Sequence, residues 1–511
     1  MLIETDKINA SMLASLGEPN VHQLYCGLDC AVTFEVLEEL AALCGSEDVA
    51  GEPDSSFPTT YNFERALQAP ALDMMLRGFK IDRYEQQIGI ERTREALEVI
   101  RGQLNVLGNA VWDRPLNPNS PKQLKEFFYE RMRLPEVWIS QKGERKLSLN
   151  REVLEKLEVY FHARPLIALI LEARDLTKKL SVLETEVSND GRMRTSYNIG
   201  GTNTGRWSSS ANAEGTGTNL QNITPELRRM FVADAGWKLC GIDLEQAESH
   251  EVGWLCGTLF QDWSYLNACE GGDLHTTTAR LIWPELGWIG DKKSDRTLAD
   301  QLFYREFSYR DMSKRGGHGS NYLGTPFTMA RHLKVPTKLM EDFQGRYFQA
   351  FPCIPRWHRW VAERLQRDGV LVTPFGRRRR FFGRANDDAT LRKAIAFSPQ
   401  SSTGDRLNLG LWRIWHEMPE VQLLAQVHDA VYFQYREEAN EQAIVSRALE
   451  LIANIPLTHG TRKFLVPGEA KIGWNWGTRG KDGSNPDGLV KWSPRAPDNR
   501  KRTPQGLERL L

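Results

Sequence analysis

Two apolar runs, Val421–Val427 and Ala430–Tyr435, are separated by only His428 and Asp429. So short a connection leaves no room for a crossover, so the runs predict an antiparallel hairpin with Asp429 at its tip. A second carboxylate has a matching position. Residues 237–243 (WKLCGID) read as a buried strand ending at Asp243, with Gln246 and Glu248 following at a helix start. Either Asp alone would be an ordinary cap or turn residue. Carboxylates ending two adjacent strands can instead converge on one point, and two Asp sharing a site suit a pair of hard divalent ions such as Mg²⁺. Two ions roughly 4 Å apart stabilise the attacking and leaving oxygens of an in-line phosphoryl transfer.

The rest of the chain predicts a largely helical frame. Residues 62–185 are mainly helical in pattern; Ser120-Pro121-Lys122-Gln123 reads as a capping box, and Pro165 opens a helix to Leu180. Further helices are expected over 244–282, 299–323, 337–367 and 388–416. Residues 200–224 are too rich in Gly, Ser, Thr and Asn to form a core, and a long stretch of this kind inside a compact protein is usually functional or disordered. Residues 46–60 read as a linker, and the last 21 residues, with six Lys/Arg against two acids, as a mobile basic tail. The fold class expected is α+β.

Arg310, Lys314, His318 and Tyr322 recur every four residues, so on a helix they share one broad face. Two cations, an imidazole and a phenol run from phosphate-binding to base-stacking chemistry. Gly316, Gly317 and Gly319 either break this helix into a loop or let a nucleotide lie close against it. A basic run, GRRRRFFGR (376–384), sets five Arg beside two Phe and suits salt-dependent phosphate contacts. Asn219, Gln221 and Asn222, with Arg206 nearby, could reach bases or sugar-phosphate, or serve as turn residues.

Composition confines these readings. The 511 residues predict two to four domains. Lys+Arg and Asp+Glu are both 66, so net charge gives no clue to a nucleic-acid partner, which must be read from local clusters. The longest apolar stretch, Pro165–Leu171, is far short of the roughly 20 residues that span a bilayer, so no membrane partner is expected. The first residues, with Glu4 and Asp6, do not read as a basic-then-apolar secretion signal, so none is expected. Seven scattered cysteines without a CxxC pair fit a reducing, cytoplasmic setting.

In order along the chain, TGRWSS (204–209), NLQNI (219–223), DLEQAE (243–248), DLHTTTA (273–279), RDMSKRGGHGSNYLG (310–324), PFGRRRR (374–380), Gln400 in SPQSS and QVHDA (426–430) closely resemble the polymerase region of the DNA polymerase I family (family A), with a phage-like flavour. The resemblance runs over about 60–480 and implies a right-hand fold, with an antiparallel palm sheet, helical fingers (about 255–350) and a helical thumb (about 100–200). It divides the chain into an N-terminal piece and linker (1–60), the approach to the palm with the thumb (61–235), palm and fingers (236–480) and tail (481–511). The activity implied is DNA-directed nucleotidyl transfer in replication or repair, with primer–template DNA and dNTP as partners and two Mg²⁺, replaceable by Mn²⁺. Asp243 and Asp429 become metal ligands, with the Leu244 carbonyl. Arg310 and Lys314, helped by His275, would grip the triphosphate, and Lys314 counts with the two Asp as catalytic. His318 would pack beside base and sugar; Glu248, held by Tyr322 and followed from Gln246, would exclude a 2′-hydroxyl. Arg206, Gln400 and His428 would contact the minor groove, with Asn219, Gln221, Asn222, Arg377 and Arg378 on DNA. The helix at 299–323 would swing towards the palm as a base pair forms. A monomer is expected, with a separate exonuclease or replisome subunit as an open partner.

Three positions depart from the pattern. His318 stands where the family usually has Phe or Tyr, which implies altered discrimination against dideoxynucleotides. Ala430 replaces the usual Glu after the second Asp, and activity is expected to survive. Tyr25-Cys-Gly-Leu-Asp29 with Thr33 resembles the last motif of a 3′–5′ exonuclease domain. The residues before it, with Glu4 and Asp6, are too few for that fold, so proofreading by this chain is not expected. A single-subunit RNA polymerase shares much of the pattern, but Glu248 argues against it. A non-catalytic DNA-binding accessory protein is disfavoured by intact Asp243, Asp429, Arg310 and Lys314.

Overall fold

The computed structural model describes residues 18–44, 57, 59–141, 144–212, 215–494 and 500–503. The strands that position the site are β1 (Trp237–Leu244), the small hairpin β2–β3 (Val370–Val372 and Arg378–Arg380), the hairpin β4–β5 (Gln422–Val427 and Ala430–Arg436), β6 (Gly468–Gly473) and β7 (Val490–Lys491). β1 is buried along its length except at Asp243. A strand apolar on both faces belongs inside a sheet, and β1 is central in the order β4-β5-β1-β6-β7, with every pairing antiparallel. The expected hairpin closes through His428 at φ +54°, and the register sets Ala430 and Glu469 on either side of Asp243. Facing residues of one rung project to the same side of a sheet, so this rung brings Asp243 and Glu469 out together. The α+β expectation is met.

The principal helices are α1 (Glu18–Cys44), α2 (Thr60–Arg77), α3 (Arg83–Trp112), α4 (Arg164–Leu183), α5 (Ala247–Phe260), α6 (Leu274–Ile282), α7 (Tyr309–Asn321), α8 (Thr337–Ala350), α9 (Cys353–Arg367), α10 (Asp388–Glu417) and α11 (Glu441–Ala453), of which α2, α10 and α11 pack on the sheet. α3 and α4 pack together beside a core that includes Leu104, Phe127 and Ile167. α10 crosses behind the sheet, tied to α5 by the fully buried pair Arg406–Glu251 at 3.0 Å. Removing one partner of such a pair would strand a charge in the core, at a cost of about 3–5 kcal/mol.

Several sequence boundaries shift. The span 244–282 breaks into three helices because Gln261 turns left-handed at φ +57° and a short helix, Ser264–Glu270, stops at Gly271. The span 337–367 breaks at Phe351-Pro352. The first part of 299–323 is a small hairpin, Leu302–Tyr304 with Phe307–Ser308, turned by Arg305 at φ +51°; the helix begins only at Tyr309. Ser120 does cap its helix, but the Gln123 side chain accepts from the Asn117 N–H, so the box stays open. α4 starts as expected, with Pro165 in its first turn.

At the front, α1 carries Asp29 and Thr33 on exposed positions, while Glu4, Asp6 and most of the 46–60 linker lie outside the described residues. At the back, the described part of the tail makes hydrogen bonds to the body of the protein. Arg500 donates to the carbonyls of Ile472, Pro486 and Gly488, Arg502 to those of Ala233 and Asp234, and Thr503 to Asp487. Arginine forks satisfying backbone carbonyls hold this basic segment on the palm sheet. Among the described residues no helix is long and apolar enough to cross a membrane.

Candidate active site

Asp243 and Asp429 meet because the Leu244 N–H donates to the Asp429 carbonyl at 3.1 Å, which closes the last rung beside the hairpin tip. Asp243 opens onto the cleft, yet partial desolvation of its carboxyl on the cleft floor first, and the Asp429 charge second, push it up to about 6, against the pull of Lys471. Asp429 is raised as well, mainly by burial, with Arg206 opposing. Two carboxylates that each resist ionisation beside the other are stabilised by cations between them. Among the described residues no group of three or more His, Cys, Asp and Glu could hold a metal. A pair of carboxylates is a donor set that a hard divalent ion accepts, since such an ion takes one or two carboxylates and keeps other positions for water or substrate oxygens.

Arg206 stands beside the pair. Its Nη2 donates to Asp429 Oδ1 at 3.1 Å and to Glu248 Oε1 at 2.5 Å, and the Tyr322 hydroxyl donates to Glu248 Oε2. The residues 204–209, from a stretch without a core of its own, thus anchor through one guanidinium to the first turn of α5, to the hairpin tip and, through Glu248, to the end of α7. Gln246, at φ +51°, lies in the same cleft, and its buried Oε1 has no hydrogen-bond partner among the described residues.

α7 forms the opposite wall. Ser308 and Asp311 close a capping box at its start, and Arg310, Lys314 and His318 face the cleft one turn apart, with Tyr322 as its C-cap. Arg310 makes a two-pronged contact with Asp273, at 2.7 and 3.1 Å, and Arg296 adds a third bond at 3.1 Å. Despite burial, hydrogen bonds from Arg310 and Thr276 and the Arg310 charge hold the Asp273 carboxyl down at about 2. His275 is pushed to about 4, by burial and then by the Arg310 charge, so it is a neutral donor or acceptor at ordinary pH. Two glycines of α7 face protein: a Cβ at Gly316 would strike Phe343 on α8 at 2.4 Å, and one at Gly319 would strike Met329 at 2.5 Å, while Gly317 lines the cleft. The helix runs unbroken through all three, which corrects the loop reading.

The cleft between these walls measures about 1020 Å³ and is lined by Asp243, Leu244, Gln246, Glu248, His275, Arg310, Lys314, His318 and Asp429 together. Of the other DNA-binding candidates, His428 is exposed at the hairpin tip, Asn222 is exposed, and Gln400 is half-buried on α10. Gln221 turns inward, bonding Gln426 at 2.7 Å, and Asn219 accepts from Ser209. Arg377 sits in a closed ion cluster with Asp405 at 2.7 Å and Glu64 at 2.5 Å, which commits its fork to the protein and pins the base of β2–β3 to α10 and α2. Arg378 is exposed on β3. Sequence reasoning missed Asp273, Arg296, Glu469, Lys471 and Lys491, all on the cleft. Only the alternation of GEAKIG hinted that Glu469 and Lys471 share a face.

Comparisons with known proteins point one way. The family model described as DNA polymerase family A matches residues 90–478. The chain is 28% identical over 434 residues to the thermostable DNA polymerase I of Thermus aquaticus, covering 80% of this chain and 47% of that protein. It is 28% identical over 429 residues to DNA polymerase I of Helicobacter pylori strain J99, covering 79% and 42%. The chain thus spans about half the length of the curated relatives it matches. The POL domain of Pol1 from M. smegmatis, solved in complex with DNA primer-template and dNTP, shares the fold at a TM-score of 0.65 and 22% identity, over 81% of this chain and 70% of that one.

Proposed function

The chain belongs to DNA polymerase family A, and on that premise we propose that it extends a primer 3′ end along a DNA template with deoxynucleotides, releasing pyrophosphate. The single observation that carries the reading is the meeting of Asp243 and Asp429 on the floor of a cleft whose far wall presents Arg310, Lys314 and His318.

The residues divide the work by position. Asp243 and Asp429, with the Leu244 carbonyl, would hold two ions of the Mg²⁺ class, which when bound lower the primer hydroxyl's pKa and neutralise the triphosphate. Lys314 binds the triphosphate oxygens from α7 as a point charge, and Arg310 does so with the N–H groups that its two-pronged contact with Asp273 does not use. Arg310 is preoriented by Asp273, so it reaches the phosphates without a search of rotamers. Neutral His275 offers a hydrogen bond rather than a third charge. Glu248, fixed by Arg206 and Tyr322, closes the floor beneath the sugar, where a 2′-hydroxyl would meet a carboxylate with no room to move. His318 lies against base and sugar. Nothing here attacks covalently, which fits phosphoryl transfer driven by positioning and charge. In this reading the sheet and β4–β5 are the palm, 255–350 the fingers, and α3 with α4 part of the thumb. α7 swings towards the palm on a correct pair, carrying Lys314 and His318.

Single-nucleotide incorporation on a matched primer–template in Mg²⁺ tests this. The expected result is dNTP addition with rNTP strongly disfavoured. Preference for rNTP would point to an RNA polymerase, and no addition of either would reject the enzyme reading.

A further inference from the structure

Phe382 is 92% exposed, yet its backbone is not loose. On one side the Phe381 N–H donates to the Gly369 carbonyl at 2.8 Å, extending the β2–β3 pairing by one residue. On the other, Gly383 runs so close to α10 that a Cβ there would lie 2.2 Å from the Thr390 hydroxyl. The ring is thus held out into solvent on a fixed support, at the full entropic and hydrophobic disadvantage of exposure.

The surroundings of the ring are cationic. β3 alternates: Arg379 turns inward, over the rings of Phe381 at 4.6 Å and Phe397 at 5.7 Å, while Arg378 and Arg380 turn outward with Phe382. Outward residues of a strand stand about 6.6 Å apart, so Arg378, Arg380 and Phe382 form a row, with exposed Arg384 beyond it. Residues 376–386 contain no acid. The next acids along the chain are held at the start of α10, where Asp387 accepts from Thr390 and Asp388 pairs with Arg392. The Arg377 cluster fixes the hairpin base, so the row is presented rigidly.

We propose that the outer face of β2–β3, with Phe382 at its centre, is a contact for single-stranded DNA. The arginines take successive phosphates and the ring stacks on an unpaired base. Duplex DNA keeps its base faces covered by their neighbours, so an exposed ring gains little from it, whereas every base of a single strand offers a π-face. The proposal deepens the polymerase reading and rests on it. The strand is unpaired DNA of the working complex, either template overhang or displaced strand.

The test is fluorescence anisotropy with the full chain, using labelled oligothymidine, a primer–template with a long 5′ overhang, a duplex with a displaced 5′ strand, and a blunt duplex, over a range of salt. Phe382→Ala should weaken oligothymidine binding about tenfold, while Phe382→Trp retains it and the blunt duplex is unaffected. Loss on the overhang substrate assigns the template strand, and loss on the displaced-strand substrate the other; either supports the contact. Arg380→Ala with Arg384→Ala should reduce the magnitude of the log–log salt slope by about 1.4. Wild-type affinity of Phe382→Ala for every single-stranded substrate would overturn the proposal. Extension of a matched primer by the wild type is measured alongside. If it occurs while Phe382→Ala binds normally, only the contact fails; if it does not occur, the polymerase reading fails instead.

Discussion

Arg206 and Asp429 are 223 positions apart in sequence, yet the guanidinium donates to the carboxylate at 3.1 Å. One cation thereby sits where the proposed metal ions also need Asp429, and its second bond, to Glu248, links the metal floor to the sugar floor. Arg206→Ala should let DNA-free protein bind Mn²⁺ roughly tenfold more tightly, because a competing positive charge is gone. Primer extension should fall at the same time, since Glu248 loses an anchor. Manganese titration followed by electron paramagnetic resonance measures the first effect; unchanged or weaker binding would refute it.

Glu248 is fixed from two sides, by Arg206 and by the Tyr322 hydroxyl. Glu248→Ala should raise ribonucleotide incorporation relative to deoxynucleotide by about 10–100-fold, a range set by the loss of one steric and polar rejection. Tyr322→Phe keeps the carboxylate but frees it to rotate, and should give a smaller change in the same direction. The ratio of kcat/KM for matched rNTP and dNTP decides.

His318 is exposed on the cleft wall and its ring lies 4.9 Å from that of Tyr322. An imidazole stacks over a smaller area than a benzene ring and adds hydrogen-bonding atoms. His318→Phe is expected to change the ddNTP to dNTP incorporation ratio. Equal ratios in the two proteins would show that this side chain does not read the 3′ position.

Asp273 ties Arg310 and Arg296 together, and its folded-state pKa of about 2 lies below the ordinary 3.8. A depressed carboxylate stabilises the fold above its unfolded pKa and loses that contribution as pH falls through the folded value. The contribution is about 2 kcal/mol at neutral pH, and about half of it is gone at pH 3. His275, lowered from 6.5 to about 4, acts in the same direction earlier, since acid between those values favours the unfolded chain. Urea unfolding of wild type and Asp273→Asn at pH 7 and pH 3 should show the gap between them narrowing in acid. A constant gap would mean that Asp273 is not held by its arginines.

Local sequence carried much of the site. The two-residue link between β4 and β5 dictated an antiparallel pair, and the apolar run to Asp243 dictated a central strand. The four-residue spacing of Arg310, Lys314 and His318 survives on α7. What was hidden depends on distant partners. Gln261 and Arg305 end or turn elements without being Gly or Pro, because tertiary packing overrides propensity there, whereas the break at Phe351 was legible in the Pro352 that follows it. The α7 glycines looked like breakers until Phe343 and Met329 were seen against them. Arg377 looked like its neighbours in the basic run, and the approach of Asp405 and of Glu64, 313 residues away, takes it out of the solvent-facing set. Asp273 is an ordinary N-cap by sequence; its arginines come from two other helical segments.

Primer extension in Mg²⁺ by wild type, Asp243→Asn and Asp429→Asn, with circular dichroism confirming equal folding, bears most directly on the two carboxylates. The account predicts extension by the wild type and a loss of at least about 10³-fold in each variant, the scale expected when a group that stabilises transition-state charge is removed. Extension by either variant at the wild-type rate would contradict it.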